Sequence, residues 1–325
     1  MHHVNRLRPQ VFALQLNDKD MNILDFNSVF PDEHSCRMDM REKRETQGIV
    51  CKKCSGNHHY WLSTRYQWKC ADCGFRTGIR SGTVMEHSNL PFMTWYKCIA
   101  LMGMTKKCFS AHEMQRQLEM KRYEPVGYMM KKLLKAMGQR DGLYKLQGMV
   151  EFDEGYFTKA TPGNVKLKQG KGSQRKQSVA VMAESAQLED VDTGRKSSQC
   201  RHFKMFVLPE SKAETINACV AQNIESDSTI LSDKSTSYVD FAKHVENHIQ
   251  FDSDRKITNS ALKWVHIAIS NAKRTLLGIY HKIDGENLQD YLDEFCYKLN
   301  RRYFGKKLFE RILIAVASSR CIIAD

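Results

Sequence analysis

Two pairs of cysteines constrain this chain more than any other feature. Cys51 and Cys54 are separated by two residues, Cys70 and Cys73 by two, and fifteen residues lie between the pairs. Two intervening residues let one tight turn aim both sulfurs at a single ion, and two such turns complete a tetrahedron of thiolates. A closed soft-ligand site of this kind suits one structural zinc per chain, because protein fills all four positions. Four free buried thiols would not need the paired spacing, and a redox function would need only one pair. Lys52, Lys53 and Lys69 stand close enough to offset the charge of the thiolates. Between the pairs, the segments starting at Tyr60 and Tyr66 read as two short strands with facing aromatics, and Gly74 is free to take the turn that follows. Cys36, Cys98, Cys108, Cys200, Cys219, Cys296 and Cys321 lack ligand spacing and are expected in the core.

A chain of 325 residues has room for about two domains and a small extra module. At 42% hydrophobic it can build a core, which excludes a disordered tail. The net charge of +13 favours a polyanionic partner, nucleic acid being the commonest, although many basic proteins bind none. No stretch approaches the roughly 18 apolar residues of a membrane span, and the opening residues carry no apolar run resembling a signal peptide. The expectation is therefore a cytoplasmic protein with no membrane partner, or a nuclear one if the host is eukaryotic. In a reducing compartment eleven cysteines do not form a disulfide framework.

Texture divides the chain into an N-terminal segment (1–46), a zinc ribbon (47–90), a helical module (91–142) and a larger domain (143–325). The charged run Asp39 to Glu45 reads as the end of a short helix with a solvated face. In the helical module, Pro91 marks a helix start with Trp95, Ile99 and Met102 at helical spacing. Ser110 caps a second helix, and Met129, Met130, Leu133, Leu134 and Met137 line a third. Three short helices fit a helix-turn-helix module or a plain helical linker equally well. Eleven basic residues against four acidic ones between 91 and 145 favour DNA contact. From about residue 148, strands near 148–157, 178–183, 202–208 and 229–233 come with helices near 211–224, 238–245, 270–277 and 287–302. That order predicts an α/β domain with a mixed sheet.

Asp153 and Asp233 end two of these strands. Alternation puts Val150, Phe152 and Glu154 on one face and Glu151 and Asp153 on the other. Carboxylates on neighbouring strands are costly together unless they share a cation, and Mg²⁺ is the natural one. Two such ions could activate an attacking oxygen and stabilise a leaving one in phosphoryl displacement. The competing reading is ordinary solvated acids at strand ends.

In order along the chain come the cysteine pairs, Arg80-Ser-Gly-Thr-Val-Met-Glu, Leu90-Pro-Phe-Met-Thr-Trp, Val150-Glu-Phe-Asp-Glu-Gly-Tyr-Phe, and Leu231-Ser-Asp-Lys-Ser-Thr-Ser-Tyr. The segment from Trp264 to Lys282 and the closing Tyr291-Leu-Asp-Glu-Phe follow. Together, over roughly residues 48 to 320, they resemble the bacterial ISXO-type insertion-sequence transposases. The resemblance implies an α/β ribonuclease-H-like mixed-sheet catalytic domain of the DDE type, preceded by a zinc ribbon and a helix-turn-helix-like module. It implies Asp153 and Asp233 as ligands of catalytic magnesium, two ions in all. The third position falls on Asn271, where most of the wider superfamily has Glu and some branches have Asn followed closely by Lys, here Lys273. An amide oxygen can ligate Mg²⁺ but brings no charge; Glu151, Glu154 and His266 are neighbours able to help. Ser270 as cap and Gly278 as stop would put Asn271 in the first turn of a helix, facing the strand ends. Lys273 and Arg274 would lie beside it, able to neutralise a scissile phosphate. His281 reads as a packing histidine or a DNA-backbone contact.

The remaining DNA-contact candidates are Lys131 and Lys132, the Gly- and Lys-rich stretch with Lys166, Lys168, Lys171 and Arg175, and the cluster Arg301 and Arg302. The expected activity is transposition. Double-stranded DNA of terminal inverted repeats and target is bound, water attacks the element end, and the freed 3′-hydroxyl attacks target DNA. A homo-oligomer is expected in the DNA complex because two ends must be paired. Two other readings stay open: a domesticated or decayed transposase that binds DNA without cutting, and a zinc-ribbon transcription factor.

Overall fold

The computed structural model describes residues 22–160, 173, 175–189, 196–252, 260–280 and 283–320. Helix α1 (Phe26–Val29) is short, and α2 (Glu33–Gln47) begins at a capping box. The Asp32 carboxylate accepts from the Ser35 N–H, and the Ser35 hydroxyl reaches back to the Asp32 N–H. The charged run predicted as a solvated helix end is in fact the body of α2. Arg37 lies over Tyr66, Arg41 over Trp61 and Arg44 over Trp68, with ring centroids 4.8, 4.4 and 5.6 Å away. Arg44 also donates to the carbonyls of Ile79 and Ser81. These guanidinium–ring contacts clamp α2 onto a three-stranded antiparallel sheet of β1 (His59–Leu62), β2 (Gln67–Cys70) and β3 (Arg76–Gly78). The register sets Trp61 opposite Trp68, their rings 5.0 Å apart.

Helices α3 (Phe92–Met104), α4 (Ala111–Gln117) and α5 (Glu124–Asp141) follow. Pro91 is the N-cap of α3, and the Glu33 carboxylate accepts from the N–H groups of Phe92 and Met93 at 3.0 and 2.8 Å. Ser110 caps α4 through the Glu113 N–H. The closing helix α9 (Leu308–Ser318) packs among these elements rather than on the large sheet: Phe309 meets Phe26, Phe30 and Tyr96. Each fully buried side chain of that size contributes roughly 1.5–3 kcal/mol. Gly103 permits the crossing, since a Cβ there would lie 3.0 Å from the Phe309 backbone. Buried Lys43 pins the same contact between Asp39 (2.8 Å) and Glu310 (2.9 Å).

The larger domain is built on five strands: β4 (Met149–Thr158), β5 (Lys176–Glu189), β6 (Lys196–Val207), β7 (Thr229–Asp233) and β8 (Asn247–Phe251). Their order is β6-β5-β4-β7-β8, antiparallel from β6 to β4 and parallel from β4 to β8. The sequence did not disclose β8. Helix α6 (Ala213–Asn223) and the 3₁₀ turns at Thr236–Lys243 cover the face that carries Val150, Phe152, Ala180 and Met182. Helices α7 (Lys263–Ile279) and α8 (Leu288–Asn300) cover the face that carries Val179, Val181 and Ala183. The alternation read from the sequence thus holds on β4, and the mixed sheet with helices is consistent with the ribonuclease-H-like expectation.

Candidate metal centre and active site

The four cysteines converge. Cys51 and Cys73 sulfurs are 3.6 Å apart, Cys54 and Cys70 sulfurs 3.5 Å, and all four lie within 4.8 Å of one another. Turns make the convergence: the Ser55 N–H donates to the Cys51 carbonyl and the Gly74 N–H to the Cys70 carbonyl. Gly74 takes φ +69, as a turn glycine can. Gly56 leaves room for the Asp72 carboxylate, which would have to swing aside for a Cβ at this position. N–H groups of Cys54 and Lys53 hold the Cys51 thiol down to about 6. Despite the Gly56 N–H, the Cys54 thiol is pushed up to about 12 by the Cys73 and Cys70 sulfurs. Sulfurs this crowded carry full thiolate charge together only around a cation, so the donor set fits zinc. Lys52 does not serve the cluster as expected; it pairs with Glu86 at 2.6 Å. Cys36, Cys98, Cys108, Cys200, Cys219 and Cys296 are buried, and Cys321 lies outside the described residues.

The acidic site forms where β4 and β7 run parallel. The parallel pairing of β4 with β7 runs from Met149 and Thr229 to Glu151 and Leu231, and two residues beyond it alternation turns Asp153 and Asp233 to the same face. That face is the one under α7. Glu154 points to the other face, where it accepts from the Ser178 hydroxyl at 2.9 Å and the Tyr238 hydroxyl at 3.3 Å. It is tied there and is not a helper of the aspartates. Glu151 is buried and also spent: one carboxylate oxygen accepts from the N–H groups of Trp264 (2.7 Å) and Val265 (3.0 Å). Burial pushes its carboxyl up to about 7 against those two N–H groups. It acts as the cap that Leu262, the N-cap residue of α7, has no side-chain oxygen to provide. Glu151→Ala should therefore lower the unfolding free energy by about 1–3 kcal/mol, from two orphaned helix donors. Glu151→Gln, which keeps an acceptor oxygen, should recover most of that; urea denaturation of both variants checks it.

The start of α7 corrects the third motif. The helix begins at Lys263, so Asn271 is not in its first turn and Ser270 is not its cap. Gly278 lies inside the last turn. The α7 side chain at Asp153 is His266, with Nε2 3.3 Å from Asp153 Oδ2. That hydrogen bond lifts the imidazole above its ordinary value, and the charges of Glu151 and Asp233 add to it. Lys273, two turns on, lies over the Phe157 ring at 5.7 Å and lines a small cavity of about 150 Å³ with Tyr156, Lys159 and Tyr280. Arg274 is exposed beside it. His281 lies outside the described residues. The sequence offered His266 only as a neighbour, and the missing signal was the helix boundary.

The DNA-contact candidates divide. Arg175 and Arg274 are exposed, and Lys166, Lys168 and Lys171 lie outside the described residues. Lys131 donates to the Asn287 side chain at 3.3 Å and Lys132 to the Glu86 carbonyl at 2.7 Å, so both are half-buried struts rather than free cations. Arg301 is 8% exposed and paired with Asp141, which corrects its reading as a DNA contact. Arg302 donates to the carbonyls of Leu299 and Cys200. At the start of α5, Lys121, Arg122 and Tyr123 are exposed together, and Pro125 is the sequence signal that marks this end of the helix.

Among the described residues no helix is long and apolar enough to cross a membrane. No curated protein matches the sequence. Among solved structures the chain is similar to the Mos1 strand transfer complex, with 14% identity over 73% of this chain and 82% of that chain and a TM-score of 0.28. It is also similar to the Mos1 mariner paired end complex with Mn, with 14% identity over 69% and 78% and a TM-score of 0.29. Overlaps this loose decide nothing about this chain. Residues 145–300, which hold both aspartates, Glu151 and all of α7, match the family model of the ISXO2-like transposase domain. Residues 145–300 of the chain thus carry an ISXO2-like transposase domain.

Proposed function

We propose that this chain cuts and joins DNA at the ends of an insertion sequence. The observation that carries the reading is the pair Asp153 and Asp233, on adjacent parallel strands and one face, inside the matched transposase domain. The donor set suits a hard divalent cation: two carboxylates, open to solvent on one side, with an imidazole above. Bound Mg²⁺ would supply Lewis-acid stabilisation of the attacking and leaving oxygens in an in-line displacement. Asp153 and Asp233 would hold it, and Glu151 fixes the helix over them. Lys273 and Arg274 would balance phosphate charge from the α7 side. Water attacks the phosphodiester at the element end, the bond to the 3′ oxygen breaks, and the freed 3′-hydroxyl attacks a target phosphodiester. No side chain becomes covalently attached.

The cysteine cluster would hold one structural zinc, making β1–β3 a zinc ribbon, and α3–α5 would serve as a helix-turn-helix-like module. With most of α5 packed between α8 and α9, its exposed first turn is the part left to meet the inverted repeats. Two copies or more would pair two element ends. The domain boundaries at 46, 90 and 142 belong to the same reading, with α9 returning to the helical module. A second reading, DNA binding without cutting, draws on the absence of Asn271 from the first turn of α7.

The test is strand nicking of duplexes carrying the DNA that flanks the gene, with Mg²⁺ or Mn²⁺. Wild type should nick at the element end. Asp153→Ala and Asp233→Ala should each lose about a thousandfold in rate, the worth of several kcal/mol of transition-state stabilisation. Nicking that survives Asp153→Ala sinks the assignment, and binding without nicking under both metals favours the second reading.

A further inference from the structure

We propose that a tyrosine-walled pocket between α5, α7 and α8 takes one unpaired base of the DNA strand that passes the aspartates, and that Asp290 there selects cytosine or adenine over thymine. The inference rests on the reading above that this chain cuts and joins DNA.

The pocket lies at the seam between the helical module and the large domain and encloses about 340 Å³. Its walls are aromatic: Tyr123 and Tyr128 come from the start of α5, Tyr280 from the C-cap of α7 and Tyr291 from α8. Tyr280 and Tyr291 stack with centroids 3.9 Å apart, and the Tyr280 hydroxyl donates to the Phe109 carbonyl at 3.1 Å, so this wall is fixed. The α5 wall is the open one, with Tyr123 41% exposed and Tyr128 58%. A flat ring entering here covers aromatic surface that water otherwise wets, and every nucleobase has such a face. The volume suits one base with its sugar. A paired base cannot leave its partner to enter, so the occupant is an unpaired one.

Charge is sorted around the pocket. Asp290 and Glu124 line it, while Lys121 and Arg122 stand exposed beside Tyr123. A phosphate is thus repelled from the inside and attracted at the mouth, which leaves the base as the part that enters. Asp290 is 8% exposed and accepts no hydrogen bond among the described residues. Burial pushes its carboxyl up, against the pull of Lys135 and Lys131. The Asn287 side-chain oxygen accepts from Lys131 at 3.3 Å, which leaves its N–H₂ group to donate. A carboxylate acceptor matches the exocyclic amino group of cytosine or adenine. Thymine presents an oxygen at that edge and meets the carboxylate acceptor to acceptor.

Helix α7 connects the pocket to the aspartates. His266 meets Asp153 at 3.3 Å near the start of the helix, and Tyr280 follows its end, fourteen residues on. That interval spans about 21 Å along the axis, or about six nucleotides of a stacked strand. Tyr280 also walls the cavity of about 150 Å³ that holds Tyr156, Lys159 and Lys273, so the two spaces share one side chain. Lys159 and Lys273 therefore stand between the aspartates and the pocket, where a strand running from one to the other carries its phosphates.

The experiment is fluorescence anisotropy of labelled DNA with the zinc-loaded full chain, with no Mg²⁺ or Mn²⁺ added. The probes are the blunt duplex flanking the gene, the same duplex with a single-stranded tail of about six cytosines, adenines or thymines, and free oligonucleotides of each base. Wild type should bind the cytosine and adenine tails about tenfold tighter than the thymine tail. Tyr128→Ala should weaken tail and oligonucleotide binding by about five- to a hundredfold, the worth of one stacked base, and leave the blunt duplex unchanged. Tyr128→Phe, which keeps the ring, should restore it. Asp290→Asn should bring the three tails within about twofold of one another, because an amide also offers thymine a donor; a merely structural role for the carboxylate would not produce that. Base preference kept in Asp290→Asn, or blunt-duplex binding lost together with tail binding in Tyr128→Ala, overturns the inference. A wild type that nicks the duplex with Mg²⁺ yet binds tailed duplex no better than blunt overturns it too, and the DNA-cutting reading then stands alone. If wild type binds none of these DNAs, that reading falls and the inference with it.

Discussion

Cys70→Ser is expected to leave the chain without zinc and to release the small sheet from α2. Wild type should carry about one zinc per chain, as four thiolates require, and the variant none. The effect should spread because of what adjoins Cys70. Trp68, two residues earlier on β2, is 2% exposed, donates to Glu45 on α2 and lies under Arg44. Across the strand pair it meets Trp61, which carries Arg41. Once the knuckles part, β2 loses its anchor at Cys70 and the guanidinium–ring contacts lose their rings. Tryptophan emission should shift to the red and near-ultraviolet dichroism should fall, in the variant and equally in wild type stripped by a strong chelator. Cys98→Ser and Cys200→Ser alter buried thiols outside the cluster and should keep full zinc. Zinc content unchanged in Cys70→Ser would remove the metal from this account.

The cysteine cluster was legible because its signal is local: each pair needs only its own turn. The shared face of the aspartates was legible because alternation along a strand has a period of two, but only Asp233 ends its strand as expected; Asp153 lies within β4, which runs on to Thr158. The third motif was not, and the reason is specific. A helix start is read from a capping side chain nearby, but α7 is capped by Glu151, 113 positions earlier in the chain. Ser270 looked like the missing cap, and the register of the whole helix followed it. Helix α3 shows the same device, with Glu33 supplying acceptors 59 and 60 positions away, but there Pro91 still marked the start. Strand β8 escaped because its burial depends on pairing with β7, not on its own pattern. The basic residues misled in a third way. Charge counted along a sequence cannot tell a cation facing solvent from one folded against a carbonyl or a buried carboxylate, and Lys132 and Arg301 are of the second kind.

Arg301 offers the sharpest separation of those two roles. Its guanidinium bonds Asp141 at 2.6 Å and the Tyr144 hydroxyl at 2.5 Å, and it lies 3.6 Å from the centroid of the Tyr297 ring. Asp141 ends α5 and also accepts from Asn300, whose amide bonds both the N–H and the carbonyl of Phe203 on β6. One buried ion pair thus joins α5, α8 and the edge of the large sheet. Arg301→Ala would leave Asp141 buried without its cation, and breaking such a pair from one side costs about 3–5 kcal/mol. Urea denaturation should show that loss. Arg301→Lys should recover only part of it, because an ammonium cannot reach Asp141 and Tyr144 with one planar fork. The double variant Asp141→Asn with Arg301→Met should cost less than Arg301→Ala, since no unpaired charge remains. A DNA contact predicts the reverse pattern: stability near that of wild type, and a salt dependence of DNA binding shallower by about one unit of slope. If Arg301→Ala keeps its stability and loses that slope, the arginine faces the phosphate backbone and the seam between the two halves of the chain is held by something else.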